Sequence, residues 1–249
     1  MKNNDNILQK IKELLGGNAE NFSILEHIVD VKVQVEYFEF SKSYPPNADN
    51  EKVLEQEPNL YSDDFGIDDK RKLLVGLASI DKPEAYRVIE RYTKDPLPEL
   101  KDWALLALQE SRMLLETKLL EEQQVFISTG LGGKEGKLRY FVVLIPLEDK
   151  PFSQSQQQLI ESEFEFTLKR HHSVLERVKF TGNYAVMLAL VPLSKNVREP
   201  FQAAIEECNS LGPFIQSGFL ITNVKEFSLD EIEDIIFSNP LDKEVDELE

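Results

Sequence analysis

Between Arg139 and Thr222 the hydrophobic period changes from one segment to the next, and the order of those changes limits the fold more than any other feature. "LRYFVVLIPL" is a strand with an apolar centre. "FSQSQQQLIESEFEFTLKRHH" opens on Ser153 with Gln156 three residues on, a capping-box start. Ile160, Phe164 and Leu168 then form a helical stripe, and length and cap outweigh the strand-like "EFEF" alternation. "VLERVKFT" and "YAVMLALVP" read as two strands joined at Gly182-Asn183, a tight-hairpin pair. Asn196 with Glu199 opens a second helix, in which Val197, Phe201, Ala204, Ile205 and Cys208 share a face and Gly212-Pro213 makes the stop. "FIQSGFLIT" is a further strand, and "SLDEIEDIIFSNP" a last helix with Ser228 and Glu231 as its box. The order from Arg139 to Thr222 is therefore strand, helix, strand, strand, helix, strand.

That order resembles the ferredoxin-like βαββαβ fold. "QQVFIST" is expected to add a fifth strand to its sheet, joined to it by the glycine loop "STGLGGKEGKLRY", and "DKEVDELE" to follow as an acidic tail. The expected second domain is residues 123–249.

Residues 1–122 read as α-helical. Ile7, Ile11, Leu14 and Leu15 sit at helical spacing before Gly16-Gly17. Residues 22–40 carry two patterns: Ile24, Ile28, Val31, Val35 and Phe38 make a helical stripe, while Val31, Val33, Val35 and Tyr37 alternate as in a strand. The helical neighbours favour helix. Residues 41–66, with three prolines, many acids and no period, are expected to form a long acidic loop. Helices are predicted from about Asp68 to Ser79, from Pro83 to Thr93 and from Pro98 to Leu120, the prolines sitting where a first turn tolerates them. "DPLPELKDWALLAL" resembles the second helix of a HEAT-type repeat: Asp95, Pro96, Leu100, Ala104, Ala107 and Leu108 fall on that family's positions, with Lys101 in place of the usual arginine. The resemblance covers ~50 residues and implies a helical cap of two or three hairpins rather than a long superhelix. The fold class expected for the whole chain is α+β, a HEAT-like helical region followed by a ferredoxin-like domain.

Composition narrows the function. Of 249 residues 41% are hydrophobic and 29% charged, a balance that supports real cores. No apolar run is long enough to span a bilayer, the N-terminus lacks a secretory pattern, and the single cysteine, Cys208, fits the cytoplasm. A net charge of −17 argues against nucleic acid as a partner. Eight acids and one lysine lie in residues 47–69, and five acids and one lysine in the tail; such runs are solvated surface or contacts for a basic partner.

The glycine loop holds four of the chain's 11 glycines in seven positions. Glu135 stands where both the Walker A and the dinucleotide motifs require glycine, and a strand follows where both require a helix. The familiar nucleotide cradles are thereby excluded. What is left is a mobile hairpin tip with Lys134, Lys137 and Arg139 beside the flexible backbone of Gly130, Gly132 and Gly133, and these six are the candidate ligand- or partner-binding residues. The three histidines offer no metal spacing; His171 and His172, with Lys169 and Arg170, fit the closing turn of a helix. Cys208 lies on an apolar stripe, and no nucleophile elbow is present. The family checks also fail. The strand "NYAVMLALV" is aliphatic where RNA-recognition domains of this fold carry stacking rings, "PLEDKPFSQ" is no acylphosphatase anion loop, and "RYFVVLIPL" lacks the acid of a nucleotidyl cyclase.

The sequence thus leads to a non-enzymatic interaction, adaptor or regulatory module without catalytic residues, metal or cofactor. Its partner is expected to be a protein, a basic one if the acidic runs make the contact, or a second copy. Two alternatives stand beside it: a sensor or unrecognised transferase holding a small anion at the glycine loop, and an acidic inhibitor that mimics nucleic acid.

Overall fold

The computed structural model describes residues 22–45, 49–120, 125–210 and 212–238, which divide into two compact units at the 127/128 peptide. The expected helix over residues 7–15 and the acidic tail 242–249 lie outside the described residues. The chain is α+β.

The first unit begins with strand β1 (Phe22–Ile24), followed by helices α1 (Val31–Ser43), α2 (Asn50–Glu55), α3 (Ile67–Ala78), α4 (Pro83–Tyr92) and α5 (Lys101–Leu120), and ends in strand β2 (Val125–Ile127). Short 3-10 turns at Glu57–Leu60 and Pro98–Leu100 connect them. Helices α3, α4 and α5 each pack on the other two. Their shared core includes Leu74, Leu77, Ile89, Trp103, Ala104 and Ala107.

Three expectations fail in this unit. First, residues 22–40 are not one helix: β1 is extended, and α1 starts only after Asp30, whose carboxylate accepts the Lys32 N–H at 2.7 Å. Moreover, the expected Ile28/Val31/Val35 stripe is exposed, Ile28 at 52% and Val35 at 51%. The buried face carries Gln34 and Tyr37, whose polar ends are satisfied by the Val29 carbonyl (2.8 Å) and the Glu110 carboxylate (2.6 Å). Burial raises the Tyr37 hydroxyl well above the ordinary tyrosine range, and Glu110 adds to the rise. Second, the stretch 41–66 is not a long loop. Asp49 caps α2, and Val53 and Leu60 anchor α2 and the following turn in the core. Third, the strand within "QQVFIST" does not join the ferredoxin-like sheet. It pairs in parallel with β1, Phe22 against Val125 through Ile24 against Ile127.

The second unit contains β3 (Gly133–Lys134), β4 (Lys137–Pro146), α6 (Gln154–Arg170), β5 (Val174–Thr181), β6 (Tyr184–Pro192), α7 (Glu199–Ser210), β7 (Ile215–Thr222) and α8 (Leu229–Ser238). The four long strands lie in the order β7-β4-β6-β5, every neighbouring pair antiparallel. That is the arrangement of the split βαβ fold. The fifth strand of this sheet is the two-residue β3, which comes from the glycine loop itself.

Local chemistry explains the boundaries. Both halves of the Ser153–Gln156 capping box form at α6 (2.8 and 3.4 Å), and Ser228 and Glu231 form the same box at α8. Asn196 does not cap α7. Its side chain accepts the Arg198 N–H at 2.9 Å in a turn before the helix, which begins at Glu199. At the end of α6 the Ser173 N–H reaches back to the Leu168 carbonyl (2.8 Å) and the His172 N–H to the Lys169 carbonyl (3.0 Å). This Schellman closure places His172 at φ 59°, where glycine is usual. His172→Gly is therefore expected to raise stability by about 0.5–1 kcal/mol in chemical denaturation: relief of left-handed strain exceeds the extra freedom glycine has when unfolded.

Both sheet faces carry packed segments. One carries α6 and α7, whose Ile160, Phe164, Leu168, Phe201 and Cys208 meet Val142, Leu144, Met187 and Phe219. Burial pushes the Cys208 thiol up to about 12, so it stays protonated. On the other face Ile232 of α8 and Leu131 of the glycine loop pack on Phe141, Val143 and Leu188. They occupy part of the surface that RNA-recognition domains of this fold use for stacking.

Candidate functional site

The glycine loop separates into a buried base and an exposed tip. At the base a side chain on Gly130 would overlap the Val224 carbonyl, so only glycine permits this approach of two backbones. The Leu131 N–H donates to the Asn223 carbonyl (3.1 Å) and the Gly132 N–H to the Thr129 carbonyl (3.1 Å). The Gly132 carbonyl receives the Arg139 N–H (2.9 Å) and the Thr129 hydroxyl (3.2 Å). Gly130, Gly132 and Gly133 are buried. A phosphate cradle needs backbone N–H groups turned outward; those of Leu131 and Gly132 are engaged within the unit.

Arg139 is likewise engaged. Its guanidinium grips Glu176 through two hydrogen bonds (2.5 and 2.9 Å) and donates to the Leu131 carbonyl (2.7 Å), and its side chain is 12% exposed. A register shift in β5 between Leu175 and Arg177 makes Glu176 a bulge residue, which brings its carboxylate to Arg139 across the intervening β6. Of the six predicted residues, four thus build the base.

The tip is different. Lys134 and Lys137 face each other as the closing pair of a two-residue turn, Glu135-Gly136, with φ 51° and 72°. Two positive φ values define a type I′ turn, whose twist matches the strands it joins. The Leu193 N–H backs the turn by donating to the Gly136 carbonyl (3.5 Å). Lys134, Glu135 and Gly136 are exposed, and the Lys134 ammonium lies 3.8 Å from the Glu135 carboxylate. A cleft of about 650 Å3 opens elsewhere in this unit, between β5 and residues 226–229, where Arg177 pairs with Glu226.

In the first unit the structure brings together a group that sequence reasoning missed. Leu60, Tyr61, Asp63, Lys70, Tyr92, Asp95 and Pro96–Pro98 line a cleft of about 290 Å3. Lys70 is 2% exposed. Among the described residues it is the one buried charged side chain, and no acceptor pairs with its ammonium. In "DDKRKLL" helical spacing sets Lys70 on the stripe of Ile67, Leu73, Leu74 and Leu77, whereas Lys72 falls beside Asp68 and Asp69 and pairs with Asp69 at 3.1 Å. Tyr61 and Tyr92 meet edge to face at 5.6 Å. Burial raises both above the ordinary tyrosine range, so both hydroxyls carry their protons at neutral pH.

Among the described residues no three His, Cys, Asp or Glu side chains form a metal-binding group, and no helix is long and apolar enough to cross a membrane. No protein family matches the chain, and no curated protein matches it. Among solved structures it is similar to a "putative transposase" from Deinococcus radiodurans R1, at 12% identity and a TM-score of 0.36, over 43% of this chain and 93% of that one. A likeness of that size carries no functional argument.

Proposed function

We propose that the chain is a non-enzymatic interaction module that docks on a partner protein through the tip of the glycine hairpin. One observation carries this reading: two lysines face each other on an exposed turn whose base is buried and hydrogen-bonded. A contact element fixed before binding loses little freedom on docking. In a chain of net charge −17, an exposed basic tip suits an acidic segment of the partner. The chain's own acidic run, residues 47–69, is such a segment, so a second copy is the first partner to test. The helices that resemble HEAT repeats would supply a further contact surface. The loop as a small-anion site is the weaker reading, because Arg139 and the base N–H groups are already engaged.

Sedimentation velocity at low and high salt tests the proposal. Concentration-dependent association is expected at low salt and should fade as salt screens it. The Lys134→Glu/Lys137→Glu variant should weaken it ~10-fold or more without lowering the melting temperature. If the wild type stays monomeric and chemical crosslinking captures no stoichiometric partner that this variant loses, the tip is not a docking element.

A further inference from the structure

We propose that the cleft over Lys70 binds a free α-amino acid with an apolar side chain, its carboxylate on the Lys70 ammonium and its amino group toward Asp63 and Asp95. This site is independent of the hairpin tip and lies in the other unit.

The starting point is a lysine whose stem is buried while its ammonium, which keeps contact with water, meets no acceptor. The two buried amide side chains of the first unit have partners: Gln34 donates to the Val29 carbonyl, and Gln109 to the Ser23 hydroxyl at 2.6 Å. Lys70 is 2% exposed, lines the cleft, and has no acceptor among the described residues. A ligand carboxylate would supply that acceptor through a charge-assisted hydrogen bond. The Tyr92 hydroxyl stands in the same wall and accepts the Leu97 N–H at 3.4 Å, which leaves its proton to donate.

The rest of the lining selects the ligand. Asp63 and Asp95 border the cleft, yet neither reaches ion-pair distance of Lys70. Two carboxylates disfavour a compact dianion such as phosphate. They favour a ligand that carries a cation a short distance from its carboxylate. The tyrosine rings with Leu97 and Pro98 give an apolar wall for a side chain. The volume of about 290 Å3 is at the small end of ligand pockets, generally ~300–1,000 Å3.

Isothermal titration of the full chain with L-leucine and L-phenylalanine tests this directly. At least one should bind. 3-Phenylpropionate, which lacks the amino group, and phenethylamine, which lacks the carboxylate, should each bind ~10-fold or more weakly than L-phenylalanine, and inorganic phosphate should not compete. Lys70→Met should lower affinity by roughly 10- to 100-fold, as for loss of one charged hydrogen bond, and should melt no lower than the wild type. Asp63 and Asp95 are exposed, so Asp63→Asn/Asp95→Asn leaves the fold intact; it should weaken the amino acid but not 3-phenylpropionate. Three results would overturn the proposal: neither amino acid binds, the desamino acid binds the wild type as tightly as L-phenylalanine does, or the double asparagine variant binds L-phenylalanine as tightly as the wild type does.

Discussion

Gly130→Ala is expected to destabilise the second unit by about 3 kcal/mol. The added methyl would overlap the Val224 carbonyl and crowd its carbon and Cα, all of them backbone atoms that cannot rotate aside. Segments 128–133 and 223–224 must then separate. Separation breaks the hydrogen bond from Leu131 to Asn223 and draws Leu131 away from Phe141, Val143, Leu188 and Ile232. The loss combines overpacking with partial exposure of a buried leucine. Lys134→Ala, only four residues on but at the exposed tip, should stay within about 0.5 kcal/mol of wild type. Urea denaturation followed by far-ultraviolet circular dichroism checks both. A loss below about 1 kcal/mol for Gly130→Ala would mean that the base of the hairpin is not pinned as described.

Trp103→Ala should cost about 3–5 kcal/mol in the first unit. Trp103 is almost wholly buried, meets Tyr37 and Phe40 edge to face at 5.2 and 5.6 Å, and carries the Arg71 guanidinium 4.9 Å from its ring centre. Its removal leaves three elements, α1, α3 and α5, facing one void. Its indole N–H, however, is buried without an acceptor among the described residues. Trp103→Phe keeps most of the ring contact and removes that orphan donor, so a loss of about 1 kcal/mol or less is expected. Denaturation curves of both variants decide the point. Equal losses for alanine and phenylalanine would mean that a phenyl ring recovers none of the indole's packing.

Legibility from sequence followed the locality of the physics. The strands "VLERVKFT" and "YAVMLALVP", the turn at Gly182-Asn183 and the two serine capping boxes are each specified within a few residues, and the structure has them in those places. The face of α1 was misread because apolar periodicity takes no account of a tyrosine and a glutamine buried with satisfied polar ends, while Val31 and Val35 point outward. Helix α2 is too short, at six residues, to show a period. Strand β2 has three residues and a partner from the far end of its unit, and nothing near it in sequence specifies that partner. At the candidate sites, the glycine loop was visible as composition. That Gly130 serves a backbone approach and Arg139 an ion pair depends on Val224 and Glu176, both distant in sequence. Lys70 shares the helical spacing of Leu73, Leu74 and Leu77, but that it borders a cleft with Tyr61, Tyr92 and the 95–98 turn depends on residues outside its helix.

The parallel pairing of β1 with β2 has a kinetic consequence. Two strands of three residues each, about 100 positions apart, offer few hydrogen bonds against the entropy of closing so long a loop. That closure becomes favourable only after α3, α4 and α5 have packed and shortened the span. The helices are therefore expected to pack first, and the ribbon to join the two ends of the unit last, which pulsed hydrogen exchange at the β1 and β2 amides would check.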